Sequence, residues 1–214
     1  MGSGCVPNDF LRQSPLAHLG IERRAAPTRA DGAGVSMAEL PFRAMVALRG
    51  RSDDPRFLSA VKQAQGPDLP LEAGLTSGDE NLRLLWLGPD EWWAVARDGG
   101  PELAAKLKDA LQGVRSSVVD VSEAHATIEI AGPRSRDVLM KGCPLDLHSR
   151  LFGPGQCTRS LIAKAECTLL QLADEQSAEA EPAYQLIVRR SFAEYVWCWL
   201  EDAAREYGVT VVAG

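Results

Sequence analysis

The sequence predicts an α+β protein in which helices pack against mainly antiparallel sheets. Three observations lead to this class. Apolar runs typical of buried strands occur around residues 44–50, 82–96 and 158–173, and apolar and polar residues alternate around residues 124–130 and 184–190. Apolar residues recur at helical spacing within 57–65, 101–111 and 192–207. The resulting order, β-β-α-β-β-α and then β-β-α-β, predicts two ferredoxin-like (split βαβ) halves, over about residues 35–117 and 118–214.

The composition is that of an ordinary globular chain and excludes several kinds of partner. Of 214 residues, 45% are hydrophobic and 24% charged, and the formal net charge is −6. A negative chain is a poor ligand for nucleic acid or an anionic membrane surface. No apolar run approaches the roughly 20 residues that span a bilayer, and no export signal opens the sequence. The five cysteines are widely spaced, without a Cys-x-x-Cys pair. We therefore expect a cytoplasmic protein with reduced thiols.

The first 34 residues predict an extended N-terminal arm. They are rich in proline, glycine, arginine and alanine and show no sustained period. Such a segment buries too little apolar surface to become ordered by itself. Two interpretations remain open: a frayed terminus, or an arm that becomes ordered against another subunit.

The first half begins with a strand that Gly50 ends and a helix over residues 57–65. Residues 66–78, with two prolines, predict a loop. Leu82–Ala96 reads as a hairpin that turns at Gly88-Pro89-Asp90-Glu91. The next helix begins at Pro101, and Gly113 stops it.

The central stretch, from Val118 to Ile130, predicts either one strand or two strands that meet at a bend. Gly132-Pro133 then ends the strand and begins a short helix. We expect Val138, Leu139 and Met140 to cover the sheet before Gly142 ends this helix.

The second half continues with residues 158–173, either a strand pair or one long bent strand, and with an acidic loop over residues 174–182. Ser191 and Glu194 have the spacing of a capping box for the helix over 192–207. A short strand at Val209–Val212 ends the chain.

No catalytic, cofactor-binding or metal-ligating constellation is predicted. Neither Gly-x-x-x-x-Gly-Lys-[Ser/Thr] nor Gly-x-Gly-x-x-Gly occurs, and His18, His125 and His148 lie far apart in the chain. Asp120, Ser122 and His125 supply the residue types of a triad, but along one extended strand they cannot converge on one hydroxyl. Cys143 and His148 lie in one predicted turn and give only weak support for a catalytic thiol–imidazole pair.

Aromatic and arginine pairs suggest a surface for other subunits. Adjacent residues on a strand point to opposite faces, so Trp92 and Trp93 cannot share one core. Trp197 and Trp199 cannot share one helical stripe, and Arg189 and Arg190 alternate likewise. The alternatives are a large two-layer core and aromatic anchors at an interface. The candidate interface residues are Trp92, Trp93, Arg189, Arg190 and Trp199.

Several segments resemble known families. Asp120-Val121-Ser122, the following strand and Gly132-Pro133-Arg134-Ser135-Arg136 resemble the core of the folate-binding aminomethyltransferase (glycine-cleavage T-protein-like) fold. Together with residues 87–92, 141–148 and 188–195, the chain from about Ser14 to its C-terminus more closely resembles the gamma subunits of heterotetrameric sarcosine oxidases.

The resemblance implies a function that the residues alone do not. Folate-binding relatives carry a Gly-Gly-x-x-Asp-Asp segment, and the segment here that aligns with it, residues 165–170, has neither the glycines nor the aspartates. Folate chemistry is therefore not expected in this chain. The resemblance implies a non-catalytic structural subunit of a flavin-dependent oxidase that demethylates sarcosine to glycine, with release of hydrogen peroxide and transfer of a one-carbon unit to tetrahydrofolate.

The same resemblance implies partners and cofactors. The alpha subunit would carry the dinucleotide (NAD) and the folate site, the beta subunit the flavins FAD and FMN, and the delta subunit zinc. The alternatives are a stand-alone folate-binding protein of one-carbon metabolism and the gamma subunit of an oxidase or dehydrogenase that acts on another N-methyl amino acid.

Overall fold

The computed structural model describes residues 12–172 and 181–214. Most of the acidic loop predicted at 174–182, and the first eleven residues of the predicted arm, lie outside this part of the chain. The strands are β1 (Val35–Leu40), β2 (Ala44–Gly50), β3 (Thr76–Gly78), β4 (Leu82–Gly88), β5 (Glu91–Ala96), β6 (Ser116–Asp120), β7 (His125–Ala131), β8 (Cys157–Ile162), β9 (Ala165–Gln171), β10 (Ala183–Arg189) and β11 (Val209–Val211). The helices are α1 (Ile21–Arg24), α2 (Pro55–Gln65), α3 (Gly100–Ala110), α4 (Ser135–Met140) and α5 (Ala193–Ala204).

One sheet has five strands in the order β3-β4-β5-β2-β6, and all neighbouring strands are antiparallel. Helices α2 and α3 pack on one face of it. Asp54 caps α2 by accepting a hydrogen bond from the Arg56 amide at 2.9 Å. The core beneath these helices contains Leu48, Phe57, Trp92 and Leu107, all fully buried.

The other sheet has six strands in the order β11-β1-β7-β10-β9-β8. Its neighbouring strands are antiparallel except for the parallel pair of β1 and β11. Helices α4 and α5 cover one face, and their shared core includes Ile128, Leu139, Trp197 and Leu200.

The uncovered faces of the two sheets pack against each other. A third buried cluster joins them, formed by Met45, Leu85, Trp93, Cys157, Leu170 and Ile187. The layers therefore run helix, sheet, sheet, helix. Because side chains alternate along β5, Trp92 enters the core under the helices and Trp93 enters the layer between the sheets.

The predicted α+β class with antiparallel sheets is confirmed. The finer prediction of two ferredoxin-like halves is not, because β1 is inserted between β7 and β11 in the six-stranded sheet. Thus β1, which the sequence places in the first half, pairs with strands of the second half. β6 runs across residue 117 and stays in the first sheet.

The ambiguous stretches resolve into pairs of strands. Val118 to Ile130 contains β6 and β7, which belong to different sheets and are joined by a 3-10 turn at Ser122–Ala124. The Ser122 hydroxyl accepts a hydrogen bond from the Met45 amide at 2.9 Å and donates one to Asp120 at 2.6 Å, which fixes this junction. Residues 158–173 form the hairpin of β8 and β9.

Three local predictions were wrong. Met140 is 52% exposed, because α4 turns only Val138 and Leu139 toward the sheet. Ser191 does not cap α5: it lies inside a 3-10 turn at Arg190–Phe192, and the chain enters the α-helix from that turn without a side-chain cap. The predicted loop at 66–78 ends in β3, which pairs with β4.

Candidate functional site

A groove of about 210 Å³ lies between the two sheets. One wall is Trp93 from β5. The other is formed by the ends of four strands of the six-stranded sheet, with Ile187 and Thr168 deeper inside. The residues that line it are Trp93, His125, Arg159, Glu166, Cys167, Thr168, Ile187 and Arg189.

His125 stands at the start of β7 and is held from two sides. Its Nδ1 lies 3.2 Å from the carbonyl oxygen of Val121, toward which it can donate. Its ring meets the Trp93 indole edge-on, with centroids 4.7 Å apart. Burial lowers the pKa of His125 below its usual value, and the positive charges of Arg189 and Arg159 lower it further. The imidazole is therefore a neutral, structurally engaged group at pH 7.

Arg159 fastens β8 of one sheet to the other sheet. Its guanidinium hydrogen-bonds to Glu91 on β5, and the second oxygen of Glu91 accepts a hydrogen bond from Arg49 on β2 at 2.8 Å. This Arg159 contact, ahead of the charge of Arg49, holds the pKa of Glu91 below its usual range. Arg159 also lies over the Trp93 ring, 5.9 Å from its centroid. Both charges in this contact are consequently satisfied within the chain.

Arg189 and Arg190 point to different surroundings, as the strand alternation predicts. Arg189 is exposed, lies opposite His125 in the β7–β10 register, and makes no ion pair with any described residue. Arg190 instead lies 3.7 Å from Glu123 and donates to the carbonyl of Gln13. The groove therefore contains one arginine that is available to a ligand.

Residues 165–170, the segment expected to correspond to the folate-binding motif, lie in β9. Ala165, Leu169 and Leu170 are buried in apolar cores. Burial raises the pKa of the Cys167 thiol to about 12, so it stays protonated. The groove lining includes one carboxylate, Glu166, which points to the exposed rim. It therefore lacks the paired carboxylates of general acid–base catalysis.

The five candidate interface residues lie in different parts of the structure. Trp92 is fully buried, and its indole Nε1 donates to the carbonyl of Pro70 at 2.7 Å, so it offers no surface to a partner. Trp93 and Arg189 meet in the groove. Arg190 borders a smaller cavity beside residues 14–15. Trp199, half-buried on α5, packs over Gly142 on the helix-covered side of the six-stranded sheet.

Sequence reasoning missed Arg159 and the contact between His125 and Trp93. Arg159 lies between Thr158 and Ser160 in β8, and strand alternation predicts its face but not the opposing sheet. Nothing in the local sequence links it to Glu91, which lies 68 residues away.

The described part of the N-terminal segment packs on this chain itself. Leu16 is fully buried with the six-stranded sheet's helix-side core, and Ser14 donates to Glu39 on β1. Burial raises the pKa of Glu39, and the Ser14 hydrogen bond opposes that rise. Ala26 bridges to Val212 beyond the end of β11.

The described ranges contain neither a cluster of metal-ligating side chains nor a helix able to span a membrane. Residues 12–172 and 181–214 contain no group of three or more His, Cys, Asp or Glu side chains placed to hold a metal ion. In the same ranges, every helix is too short or too polar to cross a bilayer.

Comparison with known proteins identifies relatives along almost the whole chain. Residues 49–206 match the sarcosine oxidase, gamma subunit family. The chain is 36% identical over 209 residues to the sarcosine oxidase subunit gamma of Corynebacterium sp. (strain P-1), which covers 97% of each chain. It is 34% identical to that of an Arthrobacter species, with the same coverage.

Solved structures agree with these relatives. A chain of the heterotetrameric sarcosine oxidase from Corynebacterium sp. U-96 superposes with a TM-score of 0.79 and 32% identity, covering 92% of this chain and 96% of that chain. The glycine cleavage system aminomethyltransferase T from Bartonella henselae gives a TM-score of 0.66 at 16% identity, covering 94% of this chain and 59% of that chain, which shows a shared fold alone. On the sequence matches and the near-complete coverage, the chain belongs to the sarcosine oxidase, gamma subunit family.

Proposed function

We propose that this chain is the non-catalytic structural subunit of a heterotetrameric sarcosine oxidase. The observation that carries the proposal is the groove between the sheets. His125 is engaged there with Val121, and Arg159 is paired with Glu91. The segment expected to correspond to the folate-binding motif has Leu169 and Leu170 buried in apolar cores outside the groove lining. No pair of groups in this lining is arranged to accept and return a proton. The chain's membership of the gamma subunit family supports its assembly with other subunits.

The reaction belongs to the assembled enzyme. In the proposed complex, sarcosine is oxidatively demethylated to glycine, hydrogen peroxide is released, and a one-carbon unit passes to tetrahydrofolate. The flavins, NAD, tetrahydrofolate and zinc would be held by the alpha, beta and delta subunits. The free cysteines Cys143, Cys157, Cys167 and Cys198 support the proposed cytoplasmic location, since cytoplasmic thiols stay reduced.

Cofactor binding by the purified chain tests this role. We expect no sarcosine turnover, no retained flavin and no calorimetric signal on titration with tetrahydrofolate. Leucines in place of the acidic residues give a polar pterin no anchor. Stoichiometric binding of tetrahydrofolate would instead support the stand-alone folate-binding protein, and sarcosine oxidation by the chain alone would contradict a non-catalytic role.

A further inference from the structure

The face of the five-stranded sheet that meets the six-stranded sheet is exposed to solvent at its edge strand, β6. In the strand register, Ala47 on β2 pairs with Trp93 on β5 and with Val119 on β6, so these three side chains form one row on the face toward the other sheet. Trp93 is 8% exposed at the groove, whereas Val119 at the outer end is 49% exposed. The row is thus an apolar strip that leads from the edge strand into the groove.

The opposite wall of the groove is positively charged. Arg189 and Arg159 both line it, and the only carboxylate in that lining is Glu166. Arg159 shares the carboxylate of Glu91 with Arg49, and Arg189 has no ion-pair partner among residues 12–172 and 181–214. On a chain with a net charge of −6, this is a local site for a negative group.

The dimensions favour a chain segment over a small molecule. Pockets for small ligands usually enclose about 300–1,000 Å³ and bury most of the ligand. This groove measures about 210 Å³, and Trp93, which lines it, belongs to the apolar row that ends at the exposed Val119. An extended peptide fits such a shape, because its alternate side chains can reach the strip and the arginine wall.

We propose that the groove receives an extended acidic segment from one of the larger subunits of the oxidase. An apolar side chain of that segment lies on the strip of Trp93, Ala47 and Val119, and a carboxylate lies against Arg189. The guanidinium can donate two parallel hydrogen bonds to a carboxylate, which fixes the orientation as well as the charge. This inference rests on the proposed function, since it needs a complex to supply the segment.

Charge reversal in the reconstituted complex tests the contact. The larger subunits are assembled with the wild-type chain, with Arg189→Glu or with Arg205→Glu, and the apparent Kd for incorporation is measured at low and high salt. Arg205 is a matched control, because it is an exposed arginine outside the groove, beside Asp202. We expect Arg189→Glu to weaken incorporation about tenfold or more at low salt and less at high salt. Arg205→Glu should stay within about twofold, in the range of surface substitutions.

A photocrosslinker at position 119 identifies the occupant. We expect the crosslinked peptide to come from a larger subunit and to contain aspartate or glutamate. A crosslink within this chain, or equal effects of Arg189→Glu and Arg205→Glu, would overturn the inference. If the wild-type chain does not join the larger subunits at all, the proposed function fails instead.

Discussion

At the scale of single residues, burial decides which thiols can react. The pKa values of Cys157 and Cys167 are raised to about 12, mainly by desolvation. Cys157 also points at the carbonyl oxygen of Trp86, 3.3 Å away. Only a thiolate is a good nucleophile, so both side chains should be inert in the folded protein.

Alkylation with iodoacetamide near neutral pH, followed by peptide mass mapping, checks this expectation. Burial, Glu194 and Glu201 also raise the pKa of Cys198, but this thiol is exposed and should be labelled slowly in the native chain, whereas Cys157 and Cys167 should be labelled only in denaturant. Equal labelling of Cys157 and Cys198 before unfolding would contradict the burial that the structure assigns.

His125 gives the folded chain a pH dependence of definite sign. Its pKa is lowered from 6.5, first by burial and then by Arg189 and Arg159, so the unfolded chain binds a proton more readily. The contribution of neutral His125 to the free energy of unfolding is complete above the pKa that histidine has in the unfolded chain. It is lost as the pH falls through the lower pKa of His125 in the folded chain.

We expect the free energy of unfolding of the wild-type chain to fall between about pH 7 and pH 5, on either side of the usual histidine pKa. His125→Gln cannot take up this proton, so its curve should be flatter over the same interval. Urea denaturation at several pH values measures both slopes. Identical slopes would show that His125 is not the titrating group.

At the scale of elements, the junction between β6 and β7 connects the two sheets. Ser122 is buried there and accepts a hydrogen bond from the Met45 amide on β2. Replacing its hydroxyl leaves the buried Met45 amide without its side-chain partner, which carries the desolvation penalty of an unsatisfied donor.

Ser122→Ala should therefore lower the free energy of unfolding by about 1–3 kcal/mol. Ser117→Ala, on the exposed part of β6, serves as the control and should change it by less than about 0.5 kcal/mol. Chemical denaturation of the two variants provides the comparison. A Ser122→Ala effect as small as that of the control would contradict a stabilising role of the Ser122 hydroxyl at this junction.

The elements with strong periodicity could be predicted from the sequence. The hairpin of β4 and β5 and helices α2 and α3 follow from local alternation, helical spacing and a proline near the start of each helix. The insertion of β1 beside β7 could not be predicted, because strand pairing depends on contacts between distant parts of the chain. The capping box predicted for Ser191 and Glu194 does not form for a local reason, because a 3-10 turn leads into the helix in place of a side-chain cap.

At the scale of the whole molecule, the stacking of the two sheets determines which aromatic residues are available to a partner. Sequence alternation separated Trp92 from Trp93, as the structure does, but it could not indicate what covers either side chain. Trp92 lies beneath this chain's own helices, and Trp93 lies between the sheets beside Arg159. Only the packed molecule brings Trp93, His125 and Arg189 to one groove.

Membership of the gamma subunit family leads to one central claim: the chain acts as part of a larger oxidase. The most direct test is to tag the chain, isolate it gently from its native host, and record the masses of the co-isolated chains together with the visible spectrum. We predict additional subunits and the absorption of oxidised flavin in the eluate. A colourless particle with the 23.1 kDa mass of this chain alone would contradict the claim.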